Sequence, residues 1–248
     1  MFMISIIVPT LNEEATINNL LKSLSVQSWR DFETIVVDGG SKDETVERAR
    51  SFGAHVLVET GCPEFISRNL GARKARGKIL LFTCADVIFP KHLLESVHEK
   101  FAEDPRLVAL SGPGIPFDAP IIGRIEYEAY NTFRYVLCNL PNSLKRFSTS
   151  TNFLAARQQH FRRTGGFLPN DVNADGMMGR QLAEIGKVCF SLNSYVYISA
   201  RRMKSMGFGR FNTHYLYVLE NIFPQLSRLG FLDRLKAVSG SVHKKMHE

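Results

Sequence analysis

The stretch ISIIVPTLNEEATINNLLKSLSVQSWRDFETIVVD, residues 4–38, decides the fold class. Two short runs in it, 4–9 and 33–38, are rich in Ile and Val, as buried β-strands are. Between the runs, four aliphatic residues recur at the spacing of one helix face: Ile17, Leu20, Leu21 and Leu24. A strand, a helix and a second strand predict a crossover unit in which the two strands lie parallel.

The alternation continues for three more strands, predicted at 54–59, 79–84 and 107–112. Helices are predicted between them. One begins at the capping box that Ser41 and Glu44 form, and two open on a proline suited to a first turn, Pro63 and Pro90. The pattern predicts an α/β protein with a mostly parallel central sheet between helical layers.

After residue 112 the pattern changes, because the Gly/Pro-rich loop GPGIPFDAP continues neither a strand nor a helix. Beyond the loop we predict a helix at 121–138, a strand at 148–156 and two helices, 157–166 and 175–187. The sequence shows no internal repeat. We therefore predict one domain, 1–205, with halves 1–112 and 113–205, and a helical C-terminal extension, 206–248.

Composition excludes several classes of protein. The chain is 44% hydrophobic, which suffices for a core, but no apolar run approaches the length that spans a membrane. The first residues lack the basic start of a secretion signal, so we expect a cytoplasmic protein. The four cysteines are widely spaced, without a zinc or disulfide pattern, and we expect free thiols.

Charge is unevenly distributed along the chain. The net charge of +7 arises from residues 121–248, which carry 18 Lys+Arg and 8 Asp+Glu. Such a surplus suits nucleic acid, anionic lipid or a phosphorylated substrate. No RNA-binding motif or DNA-recognition helix is present, so we expect no nucleic-acid partner.

Polar residues follow three of the predicted strands, where ligands bind in open parallel sheets. These segments are Pro9–Glu14, Asp38–Ser41 and Cys84–Asp86. Each has an alternative structural explanation: Asn12 or Ser41 as a helix cap, Asp38 in an Asx turn, Asp86 as the cap of the helix after Pro90. The chain has no glycine-rich phosphate loop, so a nucleotide would need another counter-charge, and Mg²⁺ or Mn²⁺ held by Asp86 would supply it.

The chain resembles the family 2 glycosyltransferases, which are inverting enzymes of the GT-A fold that use nucleotide sugars. The resemblance is collinear over about residues 4–190. Five segments carry it: SIIVPTLNEE, IVVDGGSKDET, SRNLGARKARGKILLFTCAD, STNFLAARQQHFRRTGGF and ADGMMGRQLAEIG.

The resemblance implies a binding site for a UDP- or GDP-sugar. Asp38 would accept a hydrogen bond from the ring N–H of the base, and Asp86 matches the metal-binding last acid of the family's D-x-D motif. The other residues implied to contact the nucleotide sugar are Pro9, Thr10, Leu11, Glu13, Glu14, Gly39, Ser41, Arg68, Cys84 and Ala85.

Two positions depart from the family's pattern. Cys84 replaces the first acid of D-x-D, and a neutral thiol is a poor ligand for Mg²⁺. Ala174 replaces the first acid of the E-D motif, whereas Asp175 retains the second and would be the catalytic base; Asp171 is a weaker candidate.

Basic residues complete the expected site. Arg201 and Arg202 follow the last predicted strand and would hold the diphosphate, or else form a solvated basic loop. His214 is a candidate second metal ligand.

The expected acceptor is a glycan or a polyprenyl-linked compound. Helices of the aromatic and basic tail would contact the inner face of the membrane, or pack on the domain or form a homodimer. Two other functions stay open: a catalytically degenerate nucleotide-sugar-binding protein, suggested by Cys84 and Ala174, and a sugar nucleotidyltransferase, which the acidic segment after the first strand disfavours.

Overall fold

The computed structural model describes residues 2–140, 149–168, 174–201 and 204. In chain order the described elements are β1 (Ile4–Thr10), α1 (Glu14–Ser25), β2 (Phe32–Asp38), α2 (Thr45–Ser51), β3 (His55–Val58), α3 (Glu64–Lys74), β4 (Ile79–Phe82), β5 (Val87–Ile88), α4 (Leu93–Glu103), β6 (Leu107–Ser111), β7 (Gly114–Pro116), α5 (Ile121–Asn139), β8 (Leu154–Arg157), α6 (Gln158–Arg163), α7 (Ala174–Ile185), β9 (Lys187–Phe190) and β10 (Val196–Ile198).

A seven-stranded sheet with the order β3-β2-β1-β4-β8-β6-β9 forms the centre of the molecule. The predicted mostly parallel sheet is confirmed: the five strands predicted before residue 112 all run in one direction, and only β8 opposes its neighbours. β8 lies between β4 and β6, so strands from both sides of residue 112 share one sheet.

Both faces of the central strands of this sheet are buried, which explains why these strands are mostly apolar. On β1, Ile6 and Val8 belong to a core cluster that also contains residues of α1 and α4. The intervening Ile7 belongs to a second cluster, which includes residues of α6 and α7. Successive residues of a strand point to opposite faces, and here each face is covered by helices.

Helix α3 packs closely on β1 because residue 71 is glycine. A Cβ atom at Gly71 would lie 2.6 Å from Cγ2 of Ile7, which is closer than two carbon atoms can approach. Without a side chain at this position, the helix backbone can approach the strand. This packing places Arg68, one turn earlier on α3, under the end of β4.

A smaller three-stranded sheet, β5-β10-β7, lies beside the central sheet. β10 pairs antiparallel with β5 and parallel with β7. β5 begins directly after Asp86, and Ser199 N–H donates to the carbonyl of Asp86 at 3.3 Å. This second sheet therefore brings the segment after β10 to the end of β4.

Three local predictions are wrong. Ser41 and Glu44 form no capping box: α2 begins at Thr45 without a side-chain cap, because the Ser41 hydroxyl is bonded to Asp38. Pro90 does not open a helix, since α4 begins at Leu93. The strand predicted at 148–156 is confined to Leu154–Arg157.

Three further expectations concern the cysteines, membrane-spanning helices and the C-terminal extension. None of the four cysteines forms a disulfide, as predicted. Within the described ranges, no helix combines the length and apolarity needed to cross a bilayer. The predicted helical extension, 206–248, lies outside the described residues.

Candidate active site

The carboxyl ends of β1, β2 and β4 lie side by side, so the polar segments that follow them share one edge of the sheet. Backbone and side-chain hydrogen bonds join the first two segments. Gly39 N–H donates to the carbonyl of Thr10 at 2.8 Å, and Asn12 N–H donates to Oγ of Ser41 at 2.8 Å. Asn12 adopts a left-handed conformation (φ 52°), which asparagine tolerates better than most residues.

Asp38 is fully buried and organises the turn after β2. Its Oδ1 accepts from the N–H groups of Gly40 (2.9 Å) and Ser41 (2.7 Å), and its Oδ2 accepts from the hydroxyls of Thr10 (2.9 Å) and Ser41 (2.5 Å). The bonds to the two turn N–H groups form an Asx-type turn. A base N–H would have to share or replace one of these four donors.

The two adjacent acids after β1 face different parts of the molecule. Oε2 of Glu14 accepts from the N–H of Glu44, just before α2, at 3.0 Å. Glu13 instead faces Arg201, across the edge of the sheet. Of the two, Glu13 is the one placed with Asp86.

We call Arg201, Glu13 and Asp86 the Arg201 bridge. Arg201 donates from Nη1 and Nη2 to the two carboxylate oxygens of Glu13, at 2.9 and 2.5 Å, and its Nε lies 2.9 Å from Oδ2 of Asp86. Burial lowers the pKa of Arg201, but the hydrogen bond to Glu13 and the charges of Asp86 and Glu13 outweigh it and raise the pKa above its usual value. Asp86 does not cap α4.

We call Arg68, Glu64, Cys84 and Asp175 the Arg68 cluster. The buried guanidinium of Arg68 donates from Nη1 to the carbonyl of Thr83 at 2.7 Å, and from Nη2 to Oε1 of Glu64 at 2.6 Å and Sγ of Cys84 at 3.3 Å. Burial lowers the pKa of Arg68, but nearby Cys84, Glu64 and Asp175 raise it overall. The arginine is therefore a fixed positive charge.

Asp175 lies in the first turn of α7, and burial of its carboxyl group raises its pKa despite the opposing charge of Arg68. Oδ2 accepts from the N–H and the hydroxyl of Thr151, at 3.2 and 3.1 Å. The residue as a whole is partly exposed, but Oδ1 is buried and has no hydrogen-bond partner among the described residues. One carboxylate oxygen is thus held and the other is uncommitted.

The thiol of Cys84, which stands in place of the first acid of D-x-D, contacts other groups. Its Sγ lies against Arg68 and donates to the carbonyl of Thr151 at 3.8 Å. In the described part of the chain, no three His, Cys, Asp or Glu side chains are grouped so that they could hold a metal ion. A single carboxylate such as that of Asp86 fits a cation that receives most of its other ligands from a bound diphosphate and water, which is the usual mode for Mg²⁺.

Not all of the remaining predicted site residues lie at the shared edge of the sheet. Pro9, Thr10 and Leu11 lie at the shared edge, whereas Ala85 is buried in the core below it. Arg202, Asp171 and His214 lie outside the described residues.

Sequence reasoning missed three residues that support the site. Thr151 holds Asp175, and Glu64 pairs with Arg68. Of these two contacts, only the second could have been predicted, because Glu64 precedes Arg68 by four residues on one helix. Asp118 holds the segment before Arg201 by accepting from the N–H of Ala200 at 2.6 Å, and nothing local predicts that contact.

The sequence of the chain is similar to those of known proteins. The model of the glycosyl transferase family 2 matches residues 5–163. An uncharacterized glycosyltransferase of Haemophilus influenzae is 39% identical over 174 residues, which are 66% of this chain and 56% of that protein. The chain thus matches little more than half the length of this relative.

Solved structures show the same fold. The mannosyltransferase PcManGT from Pyrobaculum calidifontis, in complex with GDP-Man and Mn²⁺, superposes with a TM-score of 0.70 at 23% identity, over 92% of this chain and 64% of that one. TarS of S. aureus, in complex with UDP-GlcNAc, superposes with a TM-score of 0.60 at 20% identity, over 79% of this chain and 58% of that one. The predicted GT-A type of α/β fold is confirmed, and the chain belongs to glycosyl transferase family 2.

Proposed function

We propose that the protein is an inverting glycosyltransferase that moves a sugar from a UDP- or GDP-sugar to an acceptor hydroxyl or phosphate. The placement of Asp175 carries this proposal: one carboxylate oxygen is held by Thr151 and the other is uncommitted. The carbonyl of Thr151 also accepts from the thiol of Cys84, which belongs to the predicted donor site. The complexes of PcManGT with GDP-Man and of TarS with UDP-GlcNAc support a nucleotide-sugar donor.

In this proposal Asp175 is the general base. Its Oδ1 takes the proton of the acceptor hydroxyl as that oxygen attacks the anomeric carbon, on the face opposite the departing nucleoside diphosphate. A raised pKa makes the deprotonated carboxylate a stronger base. A single displacement of this kind inverts the anomeric configuration.

The donor site lies at the ends of β1, β2 and β4. Asp38, with Thr10, Gly39 and Ser41 around it, receives the base and ribose, and Asp86 would hold Mg²⁺ or Mn²⁺. When bound, that cation stabilises the negative charge that develops on the leaving diphosphate. The complex of PcManGT with Mn²⁺ supports this part of the proposal.

The acceptor side is assigned to a lipid-linked compound at a membrane surface. Three isoleucines at the start of α5 are largely exposed: Ile121 by 76%, Ile122 by 61% and Ile125 by 64%. They belong to residues 121–248, whose 18 Lys+Arg and 8 Asp+Glu give a net charge of +10, which favours an anionic lipid surface. Co-sedimentation with anionic liposomes at low salt tests this proposal. If the protein does not bind liposomes but forms a dimer, the exposed isoleucines would instead contact a second copy of the chain.

The catalytic proposal is tested by nucleotide release from UDP-, GDP- and dTDP-sugars with Mn²⁺. Asp175→Asn preserves the shape of the side chain, and we expect it to lower turnover about 10²–10⁴-fold while donor binding is retained. The exposed Glu184→Gln, on the same helix, is the control and should leave turnover unchanged. Nucleotide binding without any turnover in the wild type would instead indicate a catalytically degenerate binding protein.

A further inference from the structure

Arg201 covers the carboxylate that the proposed function assigns to the metal. Its Nε lies 2.9 Å from Oδ2 of Asp86, while its two terminal nitrogens bind both carboxylate oxygens of Glu13. The side chain of Arg201 is 43% exposed, whereas those of Glu13 and Asp86 are 16% and 11% exposed. A cation approaching from solvent therefore meets the arginine before it meets the carboxylates.

The backbone next to Arg201 is firmly held, although its side chain is exposed. Ser199 N–H donates to the carbonyl of Asp86, and Ala200 N–H donates to Oδ1 of Asp118 at 2.6 Å. The guanidinium can thus leave Asp86 by rotation about its own side-chain bonds. The exchange needs no movement of β10.

A divalent cation alone competes poorly for this position. Binding to Asp86 would either leave Nε of Arg201 without its acceptor, or place two positive centres on one carboxylate, where they repel each other. A nucleoside diphosphate removes both obstacles. Its phosphate oxygens supply the remaining ligands of the cation. They also accept from the paired N–H groups of the guanidinium, whose spacing matches that of two phosphate oxygens.

We propose that Arg201 is an exchangeable counter-ion: it pairs with Asp86 and Glu13 in the free protein and moves to the diphosphate when the metal–nucleotide complex binds. The metal and the nucleotide then bind with positive coupling, each favouring the other. This inference rests on the proposed function for the identity of the ligand. It adds that the resting site excludes free cations.

Mn²⁺ binding, measured by EPR in the absence of nucleotide, tests the exchange. In Arg201→Gln the two carboxylates lose their counter-ion, and we expect Mn²⁺ alone to bind about 10-fold more tightly than to the wild type, within the range usual for such couplings. Arg201→Lys keeps the positive charge but not the paired N–H donors, so its Mn²⁺ affinity should lie between those of the wild type and Arg201→Gln. Arg180→Gln, which removes an exposed ion pair on α7, is the control and should match the wild type.

Calorimetry of UDP and GDP binding, with and without Mn²⁺, completes the test. We expect Mn²⁺ to increase nucleotide affinity about 10-fold or more in the wild type and clearly less in Arg201→Gln. Equal Mn²⁺ affinities of the two folded proteins, or no Mn²⁺ binding to either with nucleotide present, would overturn the proposal.

Nucleotide release from the sugar donors, assayed on the same preparations, separates the two proposals. Equal Mn²⁺ affinities with intact turnover overturn the counter-ion role alone. Absence of turnover overturns the glycosyltransferase activity, whereas the altered Mn²⁺ affinity of Arg201→Gln would still support the exchange.

Discussion

Two arginines lie beside acidic residues of the candidate site, and the protein holds them in opposite ways. Arg68 is completely buried and is anchored by a backbone carbonyl, a carboxylate and a thiol. Arg201 lies on the solvent side of Glu13 and Asp86, and within the described residues its side chain pairs with these two carboxylates. Both have a raised pKa, so both are permanently charged.

The difference lies in what each charge can do. A buried guanidinium cannot leave its partners without leaving them uncompensated in a poorly solvated interior. An exposed guanidinium can exchange partners, because water solvates it during the change. The Arg68 cluster is therefore suited to structure and to fixing the field at Asp175, and the Arg201 bridge to binding and release.

The largest expected effect is on stability, from replacing the buried arginine. Arg68→Met removes the charge that compensates Glu64 and Asp175, and we expect the free energy of unfolding to fall by about 3–5 kcal/mol. Urea denaturation followed by circular dichroism measures it. Arg73→Met, at an exposed position of the same helix, should change stability little; equal losses in the two variants would contradict the comparison.

An intermediate effect concerns the pH dependence of stability. Because the pKa of Asp175 is raised in the folded protein, folding favours its protonated form. The stabilisation that Asp175 contributes to the free energy of unfolding is complete below the usual Asp pKa and is lost as pH rises through the higher folded-state pKa. For one proton, the free energy of unfolding changes by no more than about 1.4 kcal/mol per pH unit.

The difference between wild type and Asp175→Asn isolates this contribution. Other carboxyl groups, including Glu33 and Asp118, have lowered pKa values and lose their contribution as pH falls, which is the opposite sign. Unfolding measured from pH 3 upwards should show wild-type stability declining relative to the variant as pH rises. A constant difference would show that the pKa of Asp175 is the same in the folded and unfolded states.

The smallest expected effect is that of Arg201→Gln on stability. Exposed ion pairs contribute little, so we expect the free energy of unfolding to change by about 1 kcal/mol or less. The same denaturation assay measures it. A loss as large as that of Arg68→Met would show that the Arg201 bridge is structural, and the contrast between the two arginines would disappear.

Local patterns predicted the elements of the central sheet well. The apolar runs of β1, β2, β4 and β6 can be recognised without knowing their neighbours, because burial on both faces makes most of their residues apolar. Local patterns failed where side chains bond across the chain. Ser41 was predicted as a helix cap, but Asp38 lies close enough to take its hydroxyl.

The candidate site was only partly predictable for the same reason. Asp38, Asp86 and Asp175 were identified from motifs that each lie within a few residues. Their partners are distant in sequence: Thr151 lies 24 residues from Asp175, and Arg201 lies 188 residues from Glu13. No periodicity or spacing encodes such contacts.

The sequence by itself determined the α/β class, the mostly parallel sheet, the family and the acids at the strand ends, because these depend on local periodicity and short motifs. The tertiary structure alone decided that Cys84 lies against Arg68, that Asp175 keeps one uncommitted oxygen and that Arg201 covers Asp86. Hydrogen bonds and ion pairs depend on distances of about 3 Å, and only the packing of helices and sheets brings such distant residues that close.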